Sequence, residues 1–285
     1  MSIEQLVAYF ERWNGPREEA DSHLRVDRAG AHGKYLGMQL SSAFQPLFIA
    51  GNLQTFAHEA LLRVVDHQGL ALSPAEAFAV PVSPDEVVYF DRLCRIIHAL
   101  NFIRQADTQA ELFLNVSGRH LLSLGGGAHG ETFERLLAMC GLHPERIILE
   151  VLEARVDEID HLNEAVEAYR HRGYRVAIDD FGCEHSNFDR LWRLTPDIVK
   201  LDRSLIVQGT TNQRARRILP KLIEIIHDLG AQVVCEGIEN HEQHQLAVDA
   251  GADLLQGYYY ARPAPRLVHE SARTAVADRR QLAAA

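Results

Sequence analysis

Acidic and amide side chains recur at the ends of apolar runs along this chain. Glu59 lies in TFAHEALLRV, Asn115 closes LFLN, Glu150 sits in IILE, Asp179 and Asp180 close VAIDD, Lys200 sits in IVK, Glu236 closes VVCE, and Gln256 falls in the last run. A single carboxylate in such a place is ordinarily a helix cap or a surface charge. Brought to one mouth, the five acids would repel and raise one another's pKa unless cations neutralised them, so as a set they predict bound metal. Carboxylate and amide oxygens favour hard cations such as Mg²⁺ or Mn²⁺. The adjacent pair Asp179 and Asp180 suits a bridge between two ions, which in two-metal hydrolases lie about 3.5–4 Å apart and serve phosphodiester cleavage. Lys200, held among acids, has two readings: it orients or deprotonates the attacking water, or it neutralises charge as an ion-pair partner.

The histidines do not organise into a competing site. His58, His67 and His185 fall near the proposed mouth, yet no HExxH spacing exists among the fifteen, and core or surface roles are expected for all of them. Cys94, Cys140, Cys183 and Cys235 are scattered without a CxxC pair, which argues for reduced thiols rather than a disulfide framework or a zinc site.

Convergence of these residues needs a scaffold. Short, near-continuous apolar runs at Ala43–Ile49, Thr55–Val64, Glu111–Val116, Ile147–Leu152, Arg175–Ile178, Asp197–Leu201, Gln232–Cys235 and Leu254–Tyr259 read as about eight strands covered on both faces. Helical spacing at Asp85–Ile103, Thr132–Cys140, Ile159–Arg172, Asn212–Leu229 and His241–Ala250 separates most of them. Alternating strand and helix predicts an α/β fold. With no GxGxxG turn after the first strand, a (β/α)8 TIM barrel is favoured over a doubly wound sheet. In such a barrel the C-terminal strand ends share one face, where chemistry sits. Residues 1–40 are expected to form a lead-in with an amphipathic helix at Ile3–Trp13, residues 41–265 the barrel, and residues 266–285 a terminal helix or frayed tail.

At 285 residues, one barrel of about 250 residues uses nearly the whole chain. A formal charge of −10 argues against a DNA or RNA polymer as partner. No run approaches the roughly 20 apolar residues that span a bilayer, and the N-terminus has no signal-peptide pattern, so a cytoplasmic protein is expected.

In their order, FQPLF with Gln45, the literal Glu59-Ala60-Leu61 followed by Leu62-Arg63, FLNVS, LEVLE with Glu150 and Glu153, AIDDFG, DIVKLDRS, VVCEGIE and LLQGYYYARP resemble the EAL-domain family of cyclic di-GMP phosphodiesterases, from about Phe44 to Pro263. The resemblance implies a modified TIM barrel that hydrolyses cyclic di-GMP to linear pGpG with two Mg²⁺ or Mn²⁺ ions, commonly as a homodimer. It further implies Glu59, Asn115, Glu150, Asp179, Asp180 and Glu236 as metal ligands, with Lys200 activating water and Gln256 near that water. By the same resemblance Gln45 and Arg63 contact substrate, and Glu153, Asp202 and Glu239 are supports. The family usually reads DDFGTGYSSL where this chain has Asp179-Asp180-Phe181-Gly182-Cys183-Glu184-His185-Ser186-Asn187-Phe188. Glu184 replaces a glycine and adds negative charge near the metals. That departure is the support for the alternative function, a weak or inactive receptor or protein-interaction module.

Overall fold

The computed structural model describes residues 3–11, 24–107, 109–117, 131–151, 159–183 and 188–272. Its strands are β1 (Leu24–Val26), β2 (Ala31–Tyr35), β3 (Met38–Ile49), β4 (Thr55–Val65), β5 (Ala71–Leu72), β6 (Glu111–Val116), β7 (Ile147–Val151), β8 (Arg175–Phe181), β9 (Ile198–Leu201), β10 (Gln232–Cys235) and β11 (Leu254–Leu255). Its α-helices are α1 (Ile3–Glu11), α2 (Pro74–Ala79), α3 (Pro84–Ile103), α4 (Glu131–Cys140), α5 (Ile159–Arg170), α6 (Phe188–Leu194), α7 (Arg203–Thr211), α8 (Gln213–Asp228) and α9 (His241–Asp249).

Hydrogen bonding runs β3-β11-β10-β9-β8-β7-β6-β4, and the β3–β4 pairing closes the ring into an eight-stranded barrel. The expected TIM-like barrel is therefore present, with one inversion. β3 is antiparallel to both β11 and β4. The cause is local: only the short Ile49–Thr55 turn joins β3 to β4, whereas a parallel pair needs a crossover of a dozen or more residues.

The lead-in holds more than the expected helix. β1 and β2 form a hairpin on the early half of β3, while β5 adds to the late half of β4. At the other end, the last strand stops at Leu255, and Gly257–Ala261 is a turn rather than more strand. After Pro265 the chain is neither helical nor frayed as far as Ala272. His58 and Val268 hydrogen-bond, and the Ala272 amide donates to the Leu53 carbonyl at 2.9 Å. The helices α2, α6 and α7 were not anticipated, α2 and α6 being too short for a clear 3.6-residue period.

Two helix starts were written plainly. Ser73-Pro74-Ala75-Glu76 and Ser83-Pro84-Asp85-Glu86 both form capping boxes, the serine accepting from the glutamate amide and the glutamate accepting from the serine amide. They start α2 and α3, and α3 then lies along the barrel wall.

Apolar packing has two parts. Leu47, Ala57, Phe113, Ile148, Ala177, Ile198, Val234 and Leu254, one from each barrel strand, fill the lower barrel interior. A larger shell packs the outer strand faces against the helices. No helix among the described residues is long and apolar enough to cross a membrane.

Candidate active site

The polar residues stand directly on the apolar plug. Because successive side chains of a strand alternate faces, residues two apart share one. Counting two positions toward the mouth from each plug residue gives Gln45, Glu59, Asn115, Glu150, Asp179, Lys200, Glu236 and Gln256. Each parallel strand thus carries an apolar residue below and a polar one above; in β3 the order reverses with strand direction, and Gln45 lies opposite Glu59 in register.

Lys200 is the hub of this ring. Its Nζ lies 2.6 Å from Glu236 Oε1, 3.0 Å from Asp179 Oδ1 and 3.7 Å from Glu59 Oε2, and it also pairs with Glu150 Oε1. Glu59 accepts from Gln256 Nε2 at 2.7 Å and from Asn115 Nδ2 at 3.4 Å. Lys200 is 1% exposed and Glu150 fully buried, so these charges are held in low dielectric.

One ammonium cannot balance the site. Glu59, Glu150, Asp179, Asp180 and Glu236 carry five negative charges when ionised. Burial pushes Glu236 up to about 8 and Glu150 well above the usual range, the nearby acids adding to the effect. Asp180 rises to about 6, first through desolvation and then through Asp179. For Lys200 burial opposes the charge, but Asp179, Glu150, Glu236 and Glu59 outweigh it and hold the ammonium well above its ordinary pKa.

The donor set fits divalent cations. Oxygens of Asp179, Asp180 and Glu236 lie within 4.8 Å of one another. Glu150 Oε2 is buried with no hydrogen-bond partner, a costly state for a carboxylate oxygen unless a cation faces it. All these groups are oxygen donors, as hard cations require.

Backbone conformation separates the two aspartates. Asp179 points inward and is buried, whereas Asp180 is exposed and takes φ 54°, a left-handed conformation that aspartate tolerates better than most residues. Gly182 follows at φ 103°, where a Cβ would collide with the Leu205 side chain, so α7 packs against this loop.

The remaining residues singled out from the sequence lie around the ring. Gln45 Nε2 donates to the Ala261 carbonyl at 3.3 Å, and Arg63, four residues beyond Glu59 on the same strand face, is exposed toward the mouth end of β4. Asp202 caps α7 by accepting from the Ser204 amide at 2.9 Å. Glu239 pairs with Arg203 at 2.7 Å on the outside of the site. Glu153 and the loop residues Glu184–Asn187, His185 included, lie outside the described residues. His58 is not at the mouth: it faces outward low on β4 against Val268, and burial pulls its pKa down to about 4. His67 is on the exposed turn between β4 and β5.

Sequence reasoning missed Asp91 and Arg95, a buried ion pair one helical turn apart in α3. Asp91 Oδ1 accepts from the Ser117 amide at 3.1 Å, fixing the chain two residues beyond Asn115. The Arg95 guanidinium lies 3.9 Å from the Phe133 ring centroid. The available signal was the opposite charges of Asp91 and Arg95 at i and i+4 in the run FDRLCRII.

Comparison with known proteins adds an independent line. The EAL domain family matches residues 35–263. Signaling protein YkoW of Bacillus subtilis is 28% identical over 231 residues, covering 78% of this chain and 28% of its own length. The cyclic di-GMP phosphodiesterase RocR of Pseudomonas aeruginosa is 25% identical over 272 residues, covering 93% of this chain and 68% of RocR. Among solved structures, the calcium and cyclic di-GMP complex of Klebsiella pneumoniae BlrP1 superposes with a TM-score of 0.67 at 27% identity, covering 79% of this chain and 56% of that one.

Proposed function

Since this chain belongs to the EAL domain family, we propose that it hydrolyses cyclic di-GMP to linear 5′-pGpG with the aid of two divalent cations, Mg²⁺ or Mn²⁺. The observation that carries the reading is the ring of acids around Lys200, whose negative charge one ammonium leaves largely uncompensated.

Glu59, Asn115, Glu150, Asp179, Asp180 and Glu236 would hold the cations. When bound, these supply positive charge to the phosphoryl oxygens and make water more acidic. Lys200 Nζ, a donor at the centre of the ring, orients the water that attacks phosphorus. As the new P–O bond forms, the bond from phosphorus to one 3′ oxygen breaks, and the proton lost by water balances the one gained by the leaving hydroxyl. Glu59 is oriented by Gln256 and Asn115, so its carboxylate does not swing away from the ring. Gln256, hydrogen-bonded to Glu59, would stand near the attacking water. Gln45 and Arg63 line the side of the mouth formed by β3 and β4 and serve as substrate contacts; Asp202, Glu239 and Glu153 act as supports.

The same proposal includes a catalytic barrel at 41–265 between a lead-in at 1–40 and a tail at 266–285, a cytoplasmic location and a homodimer. Phe188 and Trp192, both solvent-exposed and stacked with centroids 6.4 Å apart, support an apolar contact face beside the Asp180 loop.

The test is incubation of purified protein with cyclic di-GMP and Mg²⁺ or Mn²⁺, with and without EDTA, and chromatography of the products. Metal-dependent pGpG is expected. Tight nucleotide binding without product would replace the enzyme with a receptor.

A further inference from the structure

At the exit of β6 the ring is supported by its own sheet on one side only. The β6–β7 register runs from Leu112 opposite Ile147 to Val116 opposite Val151, but the β4–β6 register stops at Ala60 opposite Leu114. Asn115 therefore has a paired neighbour on β7 and none on β4, and it is half-buried rather than packed. Its hydrogen bond to Glu59 Oε1, at 3.4 Å, is longer than the usual N–H···O range. Sheet and side-chain bond together leave the direction of the Asn115 amide loosely held.

Further support comes from outside the barrel. Asp91 and Arg95, one turn apart on α3, are each 1% exposed. Asp91 Oδ1 accepts from the Ser117 amide at 3.1 Å, one residue past the last pair of the β6–β7 register. Asp91 Oδ2 pairs with the Arg95 guanidinium, which is seated on the Phe133 ring of α4. Phe133 in turn stacks on Tyr174, the residue before β8. A continuous set of contacts thus runs from two helices to the backbone leaving β6.

Stability does not account for this arrangement, because an apolar pair of similar volume in place of a buried ion pair is often as stable or more so. What a carboxylate supplies and an apolar side chain does not is an acceptor at a fixed position, and Arg95 holds that acceptor in place. Groups that orient a metal ligand from behind govern how well it binds. We propose that Asp91, held by Arg95, is a positioning residue for the metal centre: by anchoring the Ser117 amide it sets the Asn115 side chain toward the cations. The assignment rests on the ligand role proposed above for Asn115.

Two double variants separate the acceptor from the charges. Asp91→Asn/Arg95→Met and Asp91→Leu/Arg95→Met both remove the ion pair without stranding a charge, and methionine suits the Phe133 ring, but only asparagine keeps an oxygen for the Ser117 amide. Mn²⁺ binding by the full chain is measured by calorimetric titration without nucleotide, with folding followed by circular dichroism. Asp91→Leu/Arg95→Met should bind Mn²⁺ about 10- to 100-fold more weakly than the unaltered protein, whereas Asp91→Asn/Arg95→Met should stay within about threefold of it. Combined with Asn115→Ala, the two doubles should bind alike, since the residue they act through is gone. Equal affinities of the two doubles with Asn115 present, or a persistent difference without it, would overturn the tether. A second measurement needs no substitution and decides the matter even where the leucine variant does not fold. In the metal-free unaltered protein the Ser117 amide should exchange with solvent within about tenfold of the Leu114 amide in mid-strand, and exchange at the unprotected rate would overturn the tether. Asn115→Ala that binds Mn²⁺ as tightly as the unaltered protein would instead overturn the ligand role of Asn115, and an unaltered protein that binds no Mn²⁺ the metal centre itself, each taking the positioning role with it.

Discussion

Removing divalent cations should make the stability of this protein fall as pH rises, and Glu236 is the residue through which to measure it. In the folded protein its pKa is about 8, against an ordinary 4.5. Between those values the folded chain keeps a proton that the unfolded chain has released. The contribution to stability is thus fully present below pH 4.5 and is lost as pH rises through 8. A displacement of that size corresponds to about 5 kcal/mol at its limit, a large part of the stability of an ordinary domain. Urea unfolding in EDTA at pH 5.5, 7.0 and 8.5, on the unaltered protein and Glu236→Gln, isolates the effect. The unaltered protein should lose on the order of 2–5 kcal/mol more than the variant between pH 5.5 and 8.5. Cations bind the deprotonated carboxylates, so Mg²⁺ should restore more stability at pH 8.5 than at 5.5. If the difference between the two proteins is flat across this range, the burial and crowding of Glu236 are wrong as described.

Other perturbations probe the ring and the wall around it. Glu59→Ala removes the carboxylate that accepts from Gln256 and Asn115, and turnover of cyclic di-GMP should drop on the order of 10³-fold by product chromatography, with folding by circular dichroism retained. Lys200→Met leaves Glu150 buried without its cation, and should cost about 3–5 kcal/mol in urea unfolding of the metal-free protein at pH 8, less at pH 5.5 where the acids hold protons. His58 governs part of the opposite limb. Its folded pKa of about 4 lies below the unfolded 6.5, so stability should fall as pH drops from 6.5 to 4, and His58→Gln should flatten that fall in thermal unfolding.

Much of this architecture was legible locally. A strand's period of two sets which side chains share a face, so the sequences AHE, FLN, ILE, AID, IVK, VCE and LLQ already place each polar residue above an apolar one. The paired Ser-Pro-x-Glu segments are a further local signal, unread for α2, of where α2 and α3 begin, because a cap is satisfied within four residues.

Other features depended on partners distant in the chain. The β1–β2 hairpin's seat on β3 and the early end of β11 follow from which strands pair, and pairing register is set by the closed sheet rather than by one segment. The two readings of Lys200 came from the same ambiguity: a lysine in IVK says nothing of its neighbours, and only barrel closure surrounds Nζ with acids from β4, β7 and β8 and the residue after β10. The neighbours Asp179 and Asp180 look equivalent in sequence, yet the first is buried in the ring, while the second, in a left-handed backbone, is exposed and still brings a carboxylate oxygen within 4.8 Å of Asp179 and Glu236. The sequence by itself determined which residues face the barrel interior and that their chemistry suits hard cations. Tertiary structure decided which charges meet and which pKa values move, because desolvation and Coulomb interactions depend on distances through space that chain order does not specify.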